Sequence, residues 1–211
     1  MSETLAETID RTYRDAQDAI ASDQYEQARC SLESLLPLLE RAGDRMGQVR
    51  VIEQLGQVHE LMGDLVNARQ SYESALERLP ADSQSTRVLL LHRLAHAWRP
   101  SDPAQARTLF LECAALADAI GDRRAAALSR AMVGQIEITS GDSEGGMTRL
   151  LTALVELPPD APERSHLVEH AVYLSERIPR GLFQRLLEAH VPPGPLAVAL
   201  IAALAQRRSG R

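Results

Sequence analysis

Lysine is missing from this chain of 211 residues, so all 23 of its basic residues are arginine. Together with abundant alanine and leucine, this is the bias of a GC-rich coding sequence, and a bacterial source is expected from it. Aromatic residues make up only 3%. Sheets favour aromatic and β-branched side chains, whereas alanine and leucine favour helices packed on helices. Cysteine is nearly absent too. Cys30 and Cys113 lie far apart and form neither a C-x-x-C pair nor any other ligand spacing. Each sits in an apolar helical stretch and is expected to be a buried, reduced thiol. No long hydrophobic run exists. The longest, Leu196 to Ala205, is about half of the ~20 residues a membrane-spanning helix requires. The opening residues Ser2, Glu3, Thr4 and Glu7 are polar or acidic where a secretory signal is basic and then apolar, so a cytoplasmic location is expected. A net charge of -6 repels phosphate backbones, no basic stripe with interleaved aromatics offsets it, and nucleic acid is not an expected partner.

The motifs that carry chemistry are also missing. There is no G-x-x-x-x-G-K-[ST], no G-x-S-x-G and no G-x-G-x-x-G. Carboxylate pairs such as Glu73 with Glu77 are expected on the solvent side. Two His-x3-His pairs, His92 with His96 and His166 with His170, share helix faces as metal ligands do, but neither has a third ligand at a convincing spacing. His59-Glu60 is followed by Leu61, Met62 and Gly63, which breaks the H-E-x-x-H pattern. No catalytic residue, metal ligand set or cofactor is expected.

What is present is periodic. Helical stretches alternate with breakers at Ser22-Asp23, Gly43-Asp44, Gly63-Asp64, Pro80 to Ser83, Pro100 to Pro103, Gly121-Asp122, Gly141-Asp142 and Pro158 to Pro162. In a Gly-Asp pair, glycine takes the left-handed conformation that ends one helix, and aspartate accepts backbone N–H groups at the start of the next. Asp102-Pro103 starts a helix with proline in the first helical position. Self-comparison aligns Leu55-Gly56, Gly63-Asp64, Ala68, Tyr72, Ala75 and Pro80 with Val133-Gly134, Gly141-Asp142, Gly146, Leu150, Ala153 and Pro158, all displaced by 78 residues. Between them lies a further unit with Leu94-Ala95, Trp98, Ala106, Phe110 and Cys113. A weaker one precedes them with Asp15-Ala16, Ala19, Ala28, Leu32 and Leu35. Small residues at Gly56, Ala95 and Gly134, and at Ala68, Ala106 and Gly146, let successive helices approach closely while large residues fill the gaps.

This spacing resembles the tetratricopeptide repeat, W-x2-L-G-x2-Y, then A-x3-F, then P, over about 34 residues. The second unit matches through Ile52, Leu55, Gly56, His59, Ala68, Tyr72, Ala75 and Pro80. The repeat distance here is 38 to 40 residues, which implies helices lengthened by about a turn. His59 replaces the usual aromatic, the first unit lacks Leu-Gly, and beyond Arg164 the match thins to Ala171, Leu174, Leu186 and Ala189. The resemblance implies an all-α, right-handed α-solenoid, a single domain of about five antiparallel helical hairpins with a C-terminal capping helix. The expected hairpins span 3–42, 44–80, 82–120, 122–158 and 160–190, and the capping helix 194–208.

The resemblance also implies function. In such stacks the first helices of the hairpins line a concave groove that holds a peptide or helix of another protein, so the chain is expected to be a non-enzymatic scaffold or adaptor. The residues assigned to that groove are Tyr13, Arg14, Gln17, Arg50, Glu53, Gln54, Gln57, Glu60, His92, Arg93, His96, Arg99, Met132 and Gln135, with Leu128 beside them. Four arginines against two glutamates make the groove locally positive, and arginine's planar fork suits an acidic peptide or a free C-terminus. The family's two-lysine carboxylate clamp has no counterpart in a chain without lysine. Two other uses stay open: self-assembly through the last helix, whose Leu196, Val198, Leu200, Ile201 and Leu204 need covering, and sensing of a metal or small molecule by the histidine pairs.

Overall fold

The computed structural model describes residues 4–179 and 181–209. The first three residues, on which the expected start of the first hairpin and part of the N-terminal reading fall, lie outside it. Among the described residues are eleven α-helices, one 3-10 turn and no strand. The helices are α1 (Leu5–Ala21), α2 (Tyr25–Ala42), α3 (Arg45–Leu61), α4 (Leu65–Arg78), α5 (Gln84–Trp98) and α6 (Pro103–Ala119), then α7 (Arg123–Thr139), α8 (Ser143–Glu156), α9 (Arg164–Leu174), α10 (Leu182–His190) and α11 (Pro195–Ser209). A 3-10 turn, Ser175–Arg177, follows α9 directly.

The breaks have the anticipated physical cause. Gly63 and Gly141 take φ of 78° and 105°, a left-handed backbone closed to most side chains. The aspartates that follow cap the next helices: Asp44, Asp64, Asp122 and Asp142 accept the backbone N–H three residues on, at 2.7, 3.1, 2.9 and 2.9 Å. Asp102 does the same for Gln105 at 2.9 Å.

The chain divides into two compact units, Met1–Ala106 and Arg107–Arg211. In the first, α1 to α5 pack each on the next. Ala16, Ala28, Leu32, Leu35, Val51, Leu55 and Val58 form its dry interior. A Cβ on Gly56 would sit 2.4 Å from the Tyr72 ring, so the absent side chain of α3 is the space into which the tyrosine of α4 packs. Tyr72 is fully buried, and its hydroxyl donates to Glu60 at 2.9 Å.

In the second unit α7 and α8 approach closely. A Cβ on Gly134 would lie 2.6 Å from the carbonyl oxygen of Gly146, and one on Gly146 would lie 2.6 Å from that of Gly134. Beyond them α9 and α10 pack on α8, and α11 packs on α9. Leu200 of α11 is fully buried, with Leu196 and Leu204 packed partly against the same core, so the last helix caps this unit. Arg207 ties it to Glu176 at 2.8 Å. Val198 and Ile201, on its outer side, remain 66% and 56% exposed.

One expectation fails here. Cys113 is buried but Cys30 is exposed. The buried side of α2 is set by Ala28, Leu32, Leu35 and Leu39, and a residue two after Ala28 is turned about 200° around the helix, into water. No helix among the described residues is long and apolar enough to cross a membrane.

Candidate functional site: a polar face on three helices

In α1, Tyr13 and Gln17 are four residues apart and so share a face. In α3, Glu53, Gln54, Gln57 and Glu60 do likewise, and in α5 His92, Arg93 and His96. The first unit joins these rows. Gln54 of α3 donates through Nε2 to the Tyr13 hydroxyl of α1 at 2.8 Å. Glu53, with 14% of its side chain exposed, lies 2.8 Å from Arg93 Nε of α5, an ion pair in which the N–H bond does not point along the line to the carboxylate. Gln57 donates to the same carboxylate. Of the buried amide atoms, Gln17 Nε2 and Gln54 Oε1 have no hydrogen-bond partner among the described residues, where such groups are nearly always paired.

The charge balance differs from a simple positive groove. Arg93 is committed to Glu53, and Arg50 faces Asp44 at 3.7 Å. Arg14 donates through Nε to the main-chain oxygen of Asp10, at 3.2 Å. Arg14, Arg50 and Arg99 are exposed at the edges of the face. Part of the arginine charge on this face is therefore cancelled, by Glu53 from a neighbouring helix and by Asp44 at the start of α3.

His92 and His96 stand with ring centroids 4.7 Å apart. Burial, and then the nearby Arg93, pushes His92 down to about 4. Burial, His92 and the arginines at 99 and 93 push His96 down to about 3. Both imidazoles are therefore neutral at pH 7. No group of three or more His, Cys, Asp or Glu side chains that could hold a metal ion is gathered among the described residues. His166 and His170 lie further apart, with centroids 6.4 Å from each other.

In the second unit the assigned residues are mostly interior. Leu128 packs against the core, Gln135 is only 7% exposed, and Met132 is half-buried. The polar feature that stands out there was not anticipated. Glu137, 8% exposed, accepts from Arg107 at 2.9 Å and from Arg149 at 2.9 Å, two guanidinium groups clasping one buried carboxylate. Two turns earlier in α7, Arg130 pairs with Asp118 and, at 2.9 Å, with Glu156. The only advance signal was Glu137's position three residues after Gly134, on a helix packed closely on its neighbour.

Neither a protein-family model nor a curated protein sequence matches the chain. Solved structures do. A Podosopora anserina protein of nearly identical TPR-like repeats, ascribed to the kinesin light chains, superposes with a TM-score of 0.69 at 14% identity, covering 99% of this chain and 100% of that one. BtubC (BKLC) from P. vanneervenii gives 0.60 at 15% identity over 97% and 93%. YrrB, a TPR protein with an unusual peptide-binding site, gives 0.57 at 14% over 95% and 98%. With its helical hairpins, its Gly-Asp turns and its glycine-mediated helix contacts, this chain has the fold of the tetratricopeptide-like repeat proteins.

Proposed function

We propose that the chain is a non-catalytic scaffold that holds a peptide or helix of another protein against the polar face of α1, α3 and α5. The observation that carries this is the continuity of that face. Gln54 bonds Tyr13 across α1 and α3, and Gln57, Glu53 and Arg93 form a second bonded and ion-paired set across α3 and α5, so polar contacts join all three first helices, edged by exposed arginines. Surfaces that bind proteins combine such half-buried polar groups with aromatic and arginine anchors. The repeat fold and the lack of nucleophile, phosphate-cradling and metal motifs in the sequence support the non-catalytic reading. YrrB, which shares the fold, is a TPR protein with an unusual peptide-binding site.

A photo-crosslinking amino acid at Arg14 or Gln57, compared with one at the exposed Glu73 of α4, tests the placement. Crosslinks to a partner from 14 and 57 but not from 73 are expected. Crosslinking from 73 alone would move the interface to the second helices and end this reading. The exposed Val198 and Ile201 of α11 favour one second reading, self-association through the last helix. Sedimentation as a function of concentration tests it, a constant monomer mass being the result against it.

A further inference from the structure

We infer that the α1–α3 end of this face carries a pocket for a basic side chain of the partner, an arginine or a lysine. The inference rests on the scaffold reading above and gives it a ligand chemistry opposite to the acidic peptide anticipated from the arginine count.

A cavity of about 360 Å3 opens among α1, α2 and α3, at the small end of the roughly 300–1,000 Å3 of ligand sites. It has ample room for one long side chain. Its floor is apolar, from Leu35, Leu39 and Val51, and the Tyr13 ring forms part of its wall. Two carboxylates line it, Asp10 and Asp44, against the single guanidinium of Arg50. That guanidinium is loosely held, 3.7 Å from Asp44 with 62% of its side chain exposed. Asp10 is exposed, and its neighbour Arg14 binds the main-chain oxygen of Asp10.

Asp44 is fixed. One carboxylate oxygen accepts the Gly47 N–H at 2.7 Å. The other stands where residue 47 would carry its Cβ, 2.3 Å from that position. Glycine at 47 therefore makes room for a carboxylate oxygen in the pocket wall.

This arrangement matches a chain with an aliphatic stem and a cationic head. The stem covers the leucine and valine floor while the head lies between Asp10 and Asp44, and the Tyr13 ring adds a cation–π contact. A purely apolar side chain would fill the floor but leave both carboxylates with less water and no counter-charge. An acidic one would meet two like charges against one arginine.

The test is an NMR titration of the 15N-labelled full chain with N-acetyl-arginine methylamide, set beside the norleucine and glutamate analogues. Saturable shifts at Asp10, Tyr13, Gly47 and Val51 are expected with the arginine compound, with norleucine bound at least about fivefold more weakly and glutamate not at all. Asp10→Asn with Asp44→Asn, in which asparagine still caps α3, should weaken the arginine compound about tenfold. Arg50→Ala, which removes the competing cation, should tighten it. Equal binding of norleucine, an unchanged response in the double variant, or no response in the wild type overturns the inference. If partner crosslinking from positions 14 and 57 persists while the pocket is silent, this inference fails and the scaffold reading stands. If that crosslinking is itself missing, both fail together.

Discussion

Replacing Gly146 by alanine puts a methyl group against the main chain of α7 at two points. Its Cβ would lie 2.6 Å from the Gly134 oxygen and 2.7 Å from the Ile138 nitrogen, whereas ordinary contact begins near 3.4 Å. Because both obstacles are backbone, no rotamer change relieves them, and α8 must move away from α7 by several tenths of an ångström. Overpacking of this kind costs about 1–3 kcal/mol, and a rigid obstacle places it at the upper end. Alanine recovers up to ~1 kcal/mol of helix propensity over glycine. The net loss expected is about 2 kcal/mol. The adjacent Gly145→Ala has the same chemistry and a different neighbour. Its Cβ meets the Asp142 carboxylate at 2.3 Å, which can swing aside and forfeit a cap of ~1 kcal/mol, so propensity and cap nearly cancel. Urea unfolding followed by far-UV circular dichroism would separate the two variants. Equal midpoints, or a gain from Gly146→Ala, would refute the claim that backbone contact holds α7 to α8.

Three further outcomes follow from the same geometry. Removing Arg107 and Arg149 together strands the buried Glu137 carboxylate and should cost about 3–5 kcal/mol, whereas Glu137→Gln, which leaves two half-exposed arginines free to hydrate, should cost less than half as much in the same urea assay. Lowering the pH from 7 to 5 should destabilise the first unit. Unfolded histidine binds a proton near 6.5 while His92 and His96 resist until about 4 and about 3, so the unfolded state takes up more protons and stability falls by up to about 2 kcal/mol for each. The loss begins below pH 6.5 and stops growing near pH 3; Trp98 fluorescence melts of the wild type against His92→Gln/His96→Gln would read it as a flattened pH dependence in the variant. Finally, a maleimide should label Cys30 in the native chain, while Cys113, buried and with its thiol pushed up by burial, should react only after unfolding, as intact mass spectrometry would show.

The breaks and the close contacts were legible from residue type because their causes are local. A Gly-Asp pair ends and restarts a helix within four residues, and a glycine recurring 78 residues after another marks one structural position in two repeats. The ion pairs were not legible. Whether Arg93 finds Glu53 or faces a ligand depends on how the first helices of two successive hairpins sit side by side, which no spacing within either helix encodes. The exposure of Cys30 was in principle readable from the period of Ala28, Leu32, Leu35 and Leu39, but Ala28 and Leu32, two residues away on either side, made the stretch look interior. Glu137 shows the converse error, since a carboxylate in a helix is normally solvated and this one acquires its two arginines only when α6 and α8 flank α7.

An aliphatic helix interface tolerates slippage, because sliding one helix by a turn exchanges one leucine contact for another. Glu137 limits that freedom in the second unit. Shifting α7 by a turn, about 5.4 Å, would draw the carboxylate away from both guanidinium groups, so the clasp adds to the glycine contact in favouring one register of α7 against its two neighbours.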